Sequence, residues 1–212
     1  MSKVLINTET LTSIADAIRE KTGETETYKP AEMPQAILSI EGGEIDKDFS
    51  VRYIRRNLTS DEINRILELA VDDLPVKDIS EYLFYCQDEF DNLIIPNGYK
   101  YIYRNAFSRC YKLRTMSLPE GLVSIAYVAF EQCTSLQEVE LPASIQTIEQ
   151  EAFNKCTSLT KVIFKGTPTE LHRLAFARCD ALTDIYVPWA EGEVVNAPWG
   201  ATNATVHYNY TE

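Results

Sequence analysis

The sequence repeats itself at a constant step of 23 residues between positions 96 and 188. At this step, four consecutive repeats share a cysteine, a leucine and an Ala-Phe pair. The cysteines are Cys110, Cys133, Cys156 and Cys179, and the phenylalanines are Phe107, Phe130, Phe153 and Phe176. With three further, mostly aliphatic columns, six apolar or thiol columns stay in register. Such a pattern predicts a solenoid, in which each repeat buries its apolar face only against its neighbours.

Each repeat is predicted to contain a short strand, a second extended stretch and a compact turn. Residues 136–142 alternate and stop at a proline, which suits a strand end because proline cannot donate a backbone hydrogen bond. Residues 144–148 form the second stretch, and residues 151–156 form a turn, with a helical turn as the alternative. The pattern departs at residues 164–169, where a turn replaces the Leu-Pro pair.

A weaker rung precedes the four regular repeats. Residues 82–86 and 93–96 have the apolar character of a repeat, but the step from Cys86 to Cys110 is 24 residues. We therefore expect a degenerate first rung that carries Cys86. It would serve as an N-terminal cap, because the terminal rungs of a solenoid otherwise expose core.

The recurring motif, AF-x-x-C-x-x-L-x-x-V-x-L-P-x-x-L-x-x-I, resembles the BspA-type leucine-rich repeat. The resemblance covers residues 96–188 and recurs four times. It implies a short leucine-rich-repeat solenoid of 23-residue rungs. The sequence also predicts a small helical N-terminal module before the solenoid and a tryptophan-containing C-terminal cap after it, so the expected fold class is mixed α/β.

Residues 1–42 are predicted to form a two-helix attachment module. Two helices this short cannot make a self-sufficient core, so they are expected to dock on the rest of the chain or on a partner. The apolar residues that define the two helical stripes are Leu11, Ile14, Ala15 and Ile18 in the first and Met33, Ile37 and Ile40 in the second. The order IADAIR-x-KTG then PAEM resembles a module of tailed bacteriophages and prophages that accompanies tail, fibre and other virion proteins. This resemblance implies attachment to other virion proteins.

Residues 43–90 are interpreted as an adaptor or linker that ends in the degenerate rung. Within it, residues 59–62 form a capping box, followed by a helical face of Ile63, Ile66, Leu67 and Ala70. The repeats occupy residues 91–188, and residues 189–212 form the cap. Trp189 and Trp199 lie just past the last rung, where large apolar rings can cover an open end. A final strand is expected in residues 206–210, and the tail resembles a closing motif of repeat proteins in gut phages and prophages.

Net charge narrows the classes of partner. The formal net charge is −12, which argues against nucleic-acid binding, because phosphate recognition needs clustered Lys and Arg. Residues 1–95 carry −10, residues 96–188 carry +1, and residues 189–212 carry −3. The acidic part is expected to suit a basic partner.

No apolar run approaches the roughly 20 residues of a membrane-spanning helix, so no membrane insertion is expected. The start lacks signal-peptide character, which favours a product that is kept inside the cell or enters a particle assembled in the bacterial cytoplasm.

No catalytic, cofactor or metal site is predicted. The cysteine column could hold metal or react as a redox stack, but packing is favoured because no histidine or acid repeats beside it. His172 and His207 have no evident nucleophile and acid nearby in the sequence. The acidic runs Asp72-Asp73 and 88–91 could bind a cation, but solvated loops are the favoured interpretation. An enzyme, such as a hydrolase using one histidine, is therefore not expected.

The outward face of the strands is the candidate binding surface. Two columns are expected to point away from the core: Thr115, Glu138, Lys161 and Asp184, and then Ser117, Glu140, Ile163 and Tyr186. These columns vary between repeats while the core columns hold, which is typical of a scaffold that presents ligand contacts, although any solvated face varies too.

The favoured function is a non-enzymatic virion protein of a phage or prophage, in a tail, fibre or other appendage. Its N-terminus would attach to the particle, and its repeats would contact a host surface protein or glycan. A homo-oligomer, a trimer by analogy with tail appendages, is expected. The alternative is a BspA-like adhesin on the bacterial cell surface.

Overall fold

The computed structural model describes residues 59–69, 77–87 and 89–211. These residues form one helix, α1 (Ser60–Leu69), and eleven short strands. The strands are β1 (Lys77–Ile79), β2 (Asn92–Ile94), β3 (Tyr99–Ile102), β4 (Thr115–Ser117), β5 (Ser124–Ile125), β6 (Glu138–Leu141), β7 (Thr147–Ile148), β8 (Lys161–Phe164), β9 (Glu170–Leu171), β10 (Asp184–Tyr186) and β11 (Thr205–His207). The predicted attachment helices and the Asp72-Asp73 pair lie outside the described residues.

The strands stack in parallel, one rung upon the next. One side carries a five-stranded sheet in the order β1-β3-β5-β7-β9. The other carries a four-stranded sheet, β11-β10-β8-β6, and a two-stranded sheet, β2-β4. Val139 pairs with Val162, which pairs with Ile185, so the register follows the repeat. The predicted solenoid and both types of strand are confirmed. Residues 151–156 are a turn and not a helix, with Glu151 and Lys155 at φ values of 57° and 59°.

A continuous stack of phenylalanine rings runs along the solenoid core. Each ring is fully buried. Neighbouring ring centroids are 5.3, 5.2, 5.3 and 5.4 Å apart in the order Phe84, Phe107, Phe130, Phe153, Phe176. These separations fall in the range of favourable aromatic pairs, so each rung is held to the next by the same contact.

The cysteine column packs beside this stack. Each of its four thiols is buried and donates to the carbonyl of the phenylalanine in the preceding rung, 26 residues earlier in the chain, as Cys133 Sγ does to Phe107 O at 3.3 Å. The same bonds measure 3.1, 3.2 and 3.0 Å for Cys110, Cys156 and Cys179. Burial raises the pKa of the Cys133 and Cys156 thiols, which favours their protonated, hydrogen-bond-donating form. These observations support the packing interpretation of the column.

The first rung is in register, which corrects the interpretation of Cys86. Cys86 N donates to Ser108 O, and Arg109 N donates to Glu131 O, so Cys86 is the equivalent of Arg109, with a φ of 59° against 63°. The cysteine slot of this rung is filled by Gln87, which is 1% exposed. The step of 24 residues therefore reflects a cysteine displaced by one position and not a slipped rung.

Helix α1 covers the outer edge of strand β2. It begins at the predicted position, since Ile63 N donates to Thr59 O at 3.1 Å. The Ser60 hydroxyl accepts from the backbone N–H groups of Asp91 and Asn92, each at 3.0 Å. Asn64 accepts from Ile94 N at 2.8 Å. Because unpaired N–H groups on an edge strand can pair with other chains, α1 acts as a cap and is more than a linker.

The irregular turn after β8 has a steric and a hydrogen-bonding cause. Lys165 stands where the earlier repeats have proline, and its N–H donates to Leu141 O at 2.9 Å, a bond that proline cannot make. Gly166 follows, and a Cβ there would lie 2.8 Å from Ala143 Cα. Only glycine fits this close approach without a backbone shift.

The two tryptophans close the C-terminal end, as predicted. Trp189 and Trp199 are 3% and 0% exposed, and their rings lie 5.1 and 6.0 Å from that of Phe164. Strand β11 pairs with β10, which confirms a final strand beyond the tryptophans. The cap therefore continues both the core and the sheet of the last rung.

Candidate interaction surface

The two predicted outward columns are brought into line by the strand register. Glu138 pairs with Lys161, which pairs with Asp184, and their side chains are exposed or half-buried. Lys161 Nζ lies 3.1 Å from Glu138 Oε2. In the second column, Glu140, Ile163 and Tyr186 pair in the same way.

Ile163 is a correction to the predicted face. It lies in the outward column but is only 6% exposed, so it offers no contact surface. Its neighbours in the register, Glu140 and Tyr186, carry longer side chains on strands about 4.8 Å away. Alternation along one strand places a side chain on a face, but the neighbouring strands decide whether solvent reaches it.

The C-terminal end of this face carries an aromatic and acidic cluster. His207 Nε2 lies 2.8 Å from Asp184 Oδ1, and the Thr183 hydroxyl donates to Asp184 Oδ2 at 2.7 Å. These two hydrogen bonds hold the pKa of the Asp184 carboxyl below its usual range. Tyr186 stacks on His207 with ring centroids 4.4 Å apart, and Tyr210 lies 4.8 Å from Tyr186.

The histidines do not form a catalytic constellation among the described residues. The polar partner of His207 is a carboxylate, and the hydroxyl beside that carboxylate bonds to it and not to the imidazole. His172 Nδ1 accepts from Leu174 N at 3.2 Å. A hydrolase would need a nucleophile within reach of the imidazole, so neither geometry favours one.

A groove opens on this face where strands β4 and β6 part. The register of the other strands predicts that β4 and β6 should pair, but they belong to separate sheets. Gln137 N still donates to Arg114 O at 3.2 Å, just before the strands separate. The groove has a volume of about 360 Å³. Its lining includes half of the predicted face, namely Thr115, Ser117, Glu138 and Glu140.

The groove combines hydrogen-bonding groups with a small apolar area. Met116 and Leu118 line it and are half-buried, whereas most equivalent core positions are fully buried. Glu140 pairs with Lys165 at 2.9 Å, and Glu138 pairs with Lys161. Each carboxylate keeps further lone pairs for a ligand. Hydroxyls, carboxylates and exposed aliphatic groups together suit a polar ligand with an apolar side.

Sequence reasoning missed a second group of exposed residues, on the second and third rungs. Tyr103, Tyr111 and Tyr127 are 41%, 37% and 37% exposed. Arg104 lies over the Tyr127 ring with its guanidinium carbon 5.8 Å from the centroid. The net charge of +1 over all the repeats hides the basic residues that lie near these tyrosines. The net charge of each rung taken separately shows them.

The described part of the chain contains neither a metal-binding cluster nor a membrane-spanning helix. No three His, Cys, Asp or Glu side chains there are arranged to hold a metal ion. The helix α1 is not long and apolar enough to cross a membrane, and the described residues contain no other helix.

The comparison with protein families agrees with this architecture. The family described as BspA type Leucine rich repeat region matches residues 77–194 in six copies, which is more than half of the chain. This chain therefore belongs to the BspA-type leucine-rich repeat family. No curated protein matches the sequence. The family match begins at residue 77, so the resemblance of residues 1–42 to phage modules stays a prediction.

Comparison with solved structures finds three leucine-rich repeat proteins similar to this chain, two of them with a TM-score of 0.50 or more. The Leucine Rich Repeat protein of T. pallidum (TpLRR) is 28% identical with a TM-score of 0.52, over 66% of each chain. A leucine rich cell surface protein from Faecalibacterium prausnitzii A2-165 is 21% identical with a TM-score of 0.50, over 61% of this chain and 35% of the other. A leucine-rich repeat protein from Bacteroides ovatus is 34% identical with a TM-score of 0.48, over 53% and 29%. The chain thus spans 66% or less of these relatives' lengths.

Proposed function

We propose that this chain is a non-enzymatic binding protein whose repeats hold a host-surface protein or glycan in the groove between β4 and β6. The observation that carries the proposal is that four of the residues expected to bind, Thr115, Ser117, Glu138 and Glu140, line this one groove. A uniform solenoid face would spread them evenly over regular strands.

The chemistry of the groove favours a ligand with hydroxyl or amide groups. Glu138 and Glu140 accept hydrogen bonds from such groups, and the Ser117 hydroxyl can donate or accept. The Thr115 hydroxyl donates to Asn92 Oδ1 at 2.8 Å and can accept a hydrogen bond from the ligand. The adjacent Met116 offers apolar surface for the carbon skeleton of the same ligand. A sugar or a polar peptide segment meets both requirements.

Removing two of these polar groups should weaken binding without unfolding the chain. We expect the double variant Thr115→Ala/Glu138→Gln to lose about tenfold in affinity, since each loses a hydrogen bond to ligand. The matched control is Thr157→Ala/Glu170→Gln, which changes the same residue types at exposed positions outside the groove. Binding of the labelled proteins to a glycan array and to intact bacterial cells provides the measurement. Equal loss in both variants, or none in either, contradicts the proposal.

The proposal extends to the location of the protein. We place it in a virion of a phage or prophage, as part of a tail, fibre or other appendage. It would assemble as a homo-oligomer, a trimer by analogy, with residues 1–42 docked on other virion proteins. The support is the IADAIR-x-KTG and PAEM resemblance, together with the −10 carried by residues 1–95, which suits a basic docking partner.

Mass spectrometry of purified particles tests this location. We expect the chain in particles from an induced lysogen. We also expect that deleting residues 1–42 leaves the repeats folded but absent from particles. The rival location is the bacterial cell surface, where a BspA-like adhesin would be found by surface labelling. Detection there with none in particles would overturn the virion assignment while leaving the groove proposal standing.

A further inference from the structure

One rung of the solenoid is strongly basic. Residues 97–119, which we name the basic rung, contain five cations and no acidic residue. The cations are Lys100, Arg104, Arg109, Lys112 and Arg114. In a chain of net charge −12, this is a local reversal of sign confined to one repeat.

Most of this charge is free to meet a ligand. All five cations are exposed. Lys112 pairs with Glu89 at 3.4 Å. Among the described residues, the other four have no carboxylate within salt-bridge distance. Unpaired guanidinium and ammonium groups are available for anions, and an arginine can bind a carboxylate through two parallel hydrogen bonds.

Tyrosine rings hold two of the arginines in place. Arg104 lies over Tyr127, and Arg109 lies 5.6 Å from the centroid of Tyr85. A guanidinium over a ring is attracted by its π-electrons and keeps its N–H edge directed to solvent. The position of Tyr85 is taken by Ser108, Glu131, Asn154 and Ala177 in later rungs. The aromatic support is therefore a property of this end of the solenoid and not of the repeat.

The shape of the charged band restricts the ligand. One rung is about 4.8 Å thick. It lies between acidic neighbours, with Glu81 and Glu89 in the rung before it and Glu120 and Glu131 in the rung after it. A stable protein interface covers about 800 Å² on each partner, so an acidic protein would also meet these carboxylates and be repelled. A thin anionic chain laid along the rung avoids them.

The chemical groups that are accessible on the basic rung favour one kind of thin anionic chain over another. Arginine covers one face of Tyr85 and of Tyr127, and Tyr101 stacks against Tyr103 with centroids 6.3 Å apart. Single-stranded nucleic acid binds by stacking bases on free aromatic faces, and these faces are partly occupied. The phenol of Tyr103 is hydrogen-bonded to Asp78. The groups left outward are therefore guanidinium N–H and the phenol O–H of the exposed Tyr111 and Tyr127, which suit carboxylates and hydroxyls.

We propose that the basic rung binds an acidic polysaccharide, with uronate carboxylates on Arg104 and Arg109 and sugar hydroxyls on these two tyrosine phenols. Arg104 and Arg109 do not line the groove, although Arg114 of the same rung does. The proposed site therefore does not depend on what the groove holds. The chain would then have two binding surfaces of different chemistry on one short solenoid.

Binding to polygalacturonate, with uncharged dextran as the comparison, tests the proposal on the full-length protein. We expect binding to polygalacturonate and not to dextran, weakened by added salt because exposed charges are screened. Arg104→Gln/Arg109→Gln should lose about tenfold or more, since a charge-assisted hydrogen bond is lost at each position. Arg104→Lys/Arg109→Lys should fall between, because it keeps the charge without the planar donors.

The repeat supplies a matched control. Arg173 and Arg178 are exposed and stand three repeats beyond Arg104 and Arg109, so Arg173→Gln/Arg178→Gln removes the same charge from equivalent backbone positions. We expect that variant to bind as the parent does. Equal losses of affinity for polygalacturonate in the two glutamine variants would contradict the proposed site, and so would binding of the parent protein to dextran. If the parent protein binds a thymidine oligonucleotide more tightly than polygalacturonate, the proposed class of ligand is wrong.

Discussion

Replacing Trp199 by alanine is expected to lower the free energy of unfolding by about 3–5 kcal/mol, the usual cost of truncating a buried tryptophan. Trp199 is fully buried, and its ring lies 6.1 Å from that of Trp189 and 6.0 Å from that of Phe164. Its indole N–H donates to Val195 O at 2.8 Å. Truncation would open the last rung to water, because the two tryptophans are the apolar cover of that rung in the described part of the chain. Urea unfolding followed by far-ultraviolet circular dichroism measures the change.

Two variants separate the loss of the cap from a general effect of mutation. Val195 is 67% exposed, and Val195→Ala keeps the carbonyl that Trp199 uses, so it should cost less than about 0.5 kcal/mol. Trp199→Phe keeps an aromatic ring but loses the indole hydrogen bond, and should fall between the two. If Trp199→Ala unfolds at the same urea concentration as Val195→Ala, these rings do not cap the solenoid.

The repeating core was predictable because the same pattern of residues occurs four times in the sequence. One Ala-Phe pair or one cysteine predicts little, but a column of identical residues at one step fixes the register of every strand. The stacked phenylalanines and the pairing of Val139 with Val162 follow directly from that step. The cap was predictable for a related reason, since two tryptophans immediately after the last repeat have few other places to pack.

Apart from the turn at residues 164–169, the departures from the repeat could not be predicted, because each depends on a contact between rungs. The Cys-to-Cys step suggested a degenerate first rung, whereas the backbone hydrogen bonds show Gln87 in the cysteine slot. Period-two alternation placed Ile163 outward, but its neighbours bury it. The groove arises because strands β4 and β6 do not pair. No residue pattern within either strand predicts this missing pairing.

Replacing Phe130 by alanine is expected to cost about 3–5 kcal/mol, and to divide the solenoid as well as weaken it. Phe130 is fully buried and stacks on both sides, 5.2 Å from Phe107 and 5.3 Å from Phe153. The stability of a solenoid is approximately a sum of repeat terms and nearest-neighbour terms. Removing a central ring removes both of its neighbour contacts, so the rungs before it and the rungs after it lose part of their coupling.

The positions of the tryptophans make this division measurable. Both tryptophans of the chain lie in the C-terminal cap, so fluorescence reports that end while circular dichroism reports all the rungs. In the parent the two signals should change together, as cooperative unfolding requires. In Phe130→Ala they should separate, because the capped C-terminal rungs keep their own contacts after the others unfold. Phe84→Ala, at the first rung with one Phe neighbour on the stack, should destabilise without separating them as far. Coincident signals in Phe130→Ala would mean that coupling through the backbone ladders alone suffices to hold the rungs together.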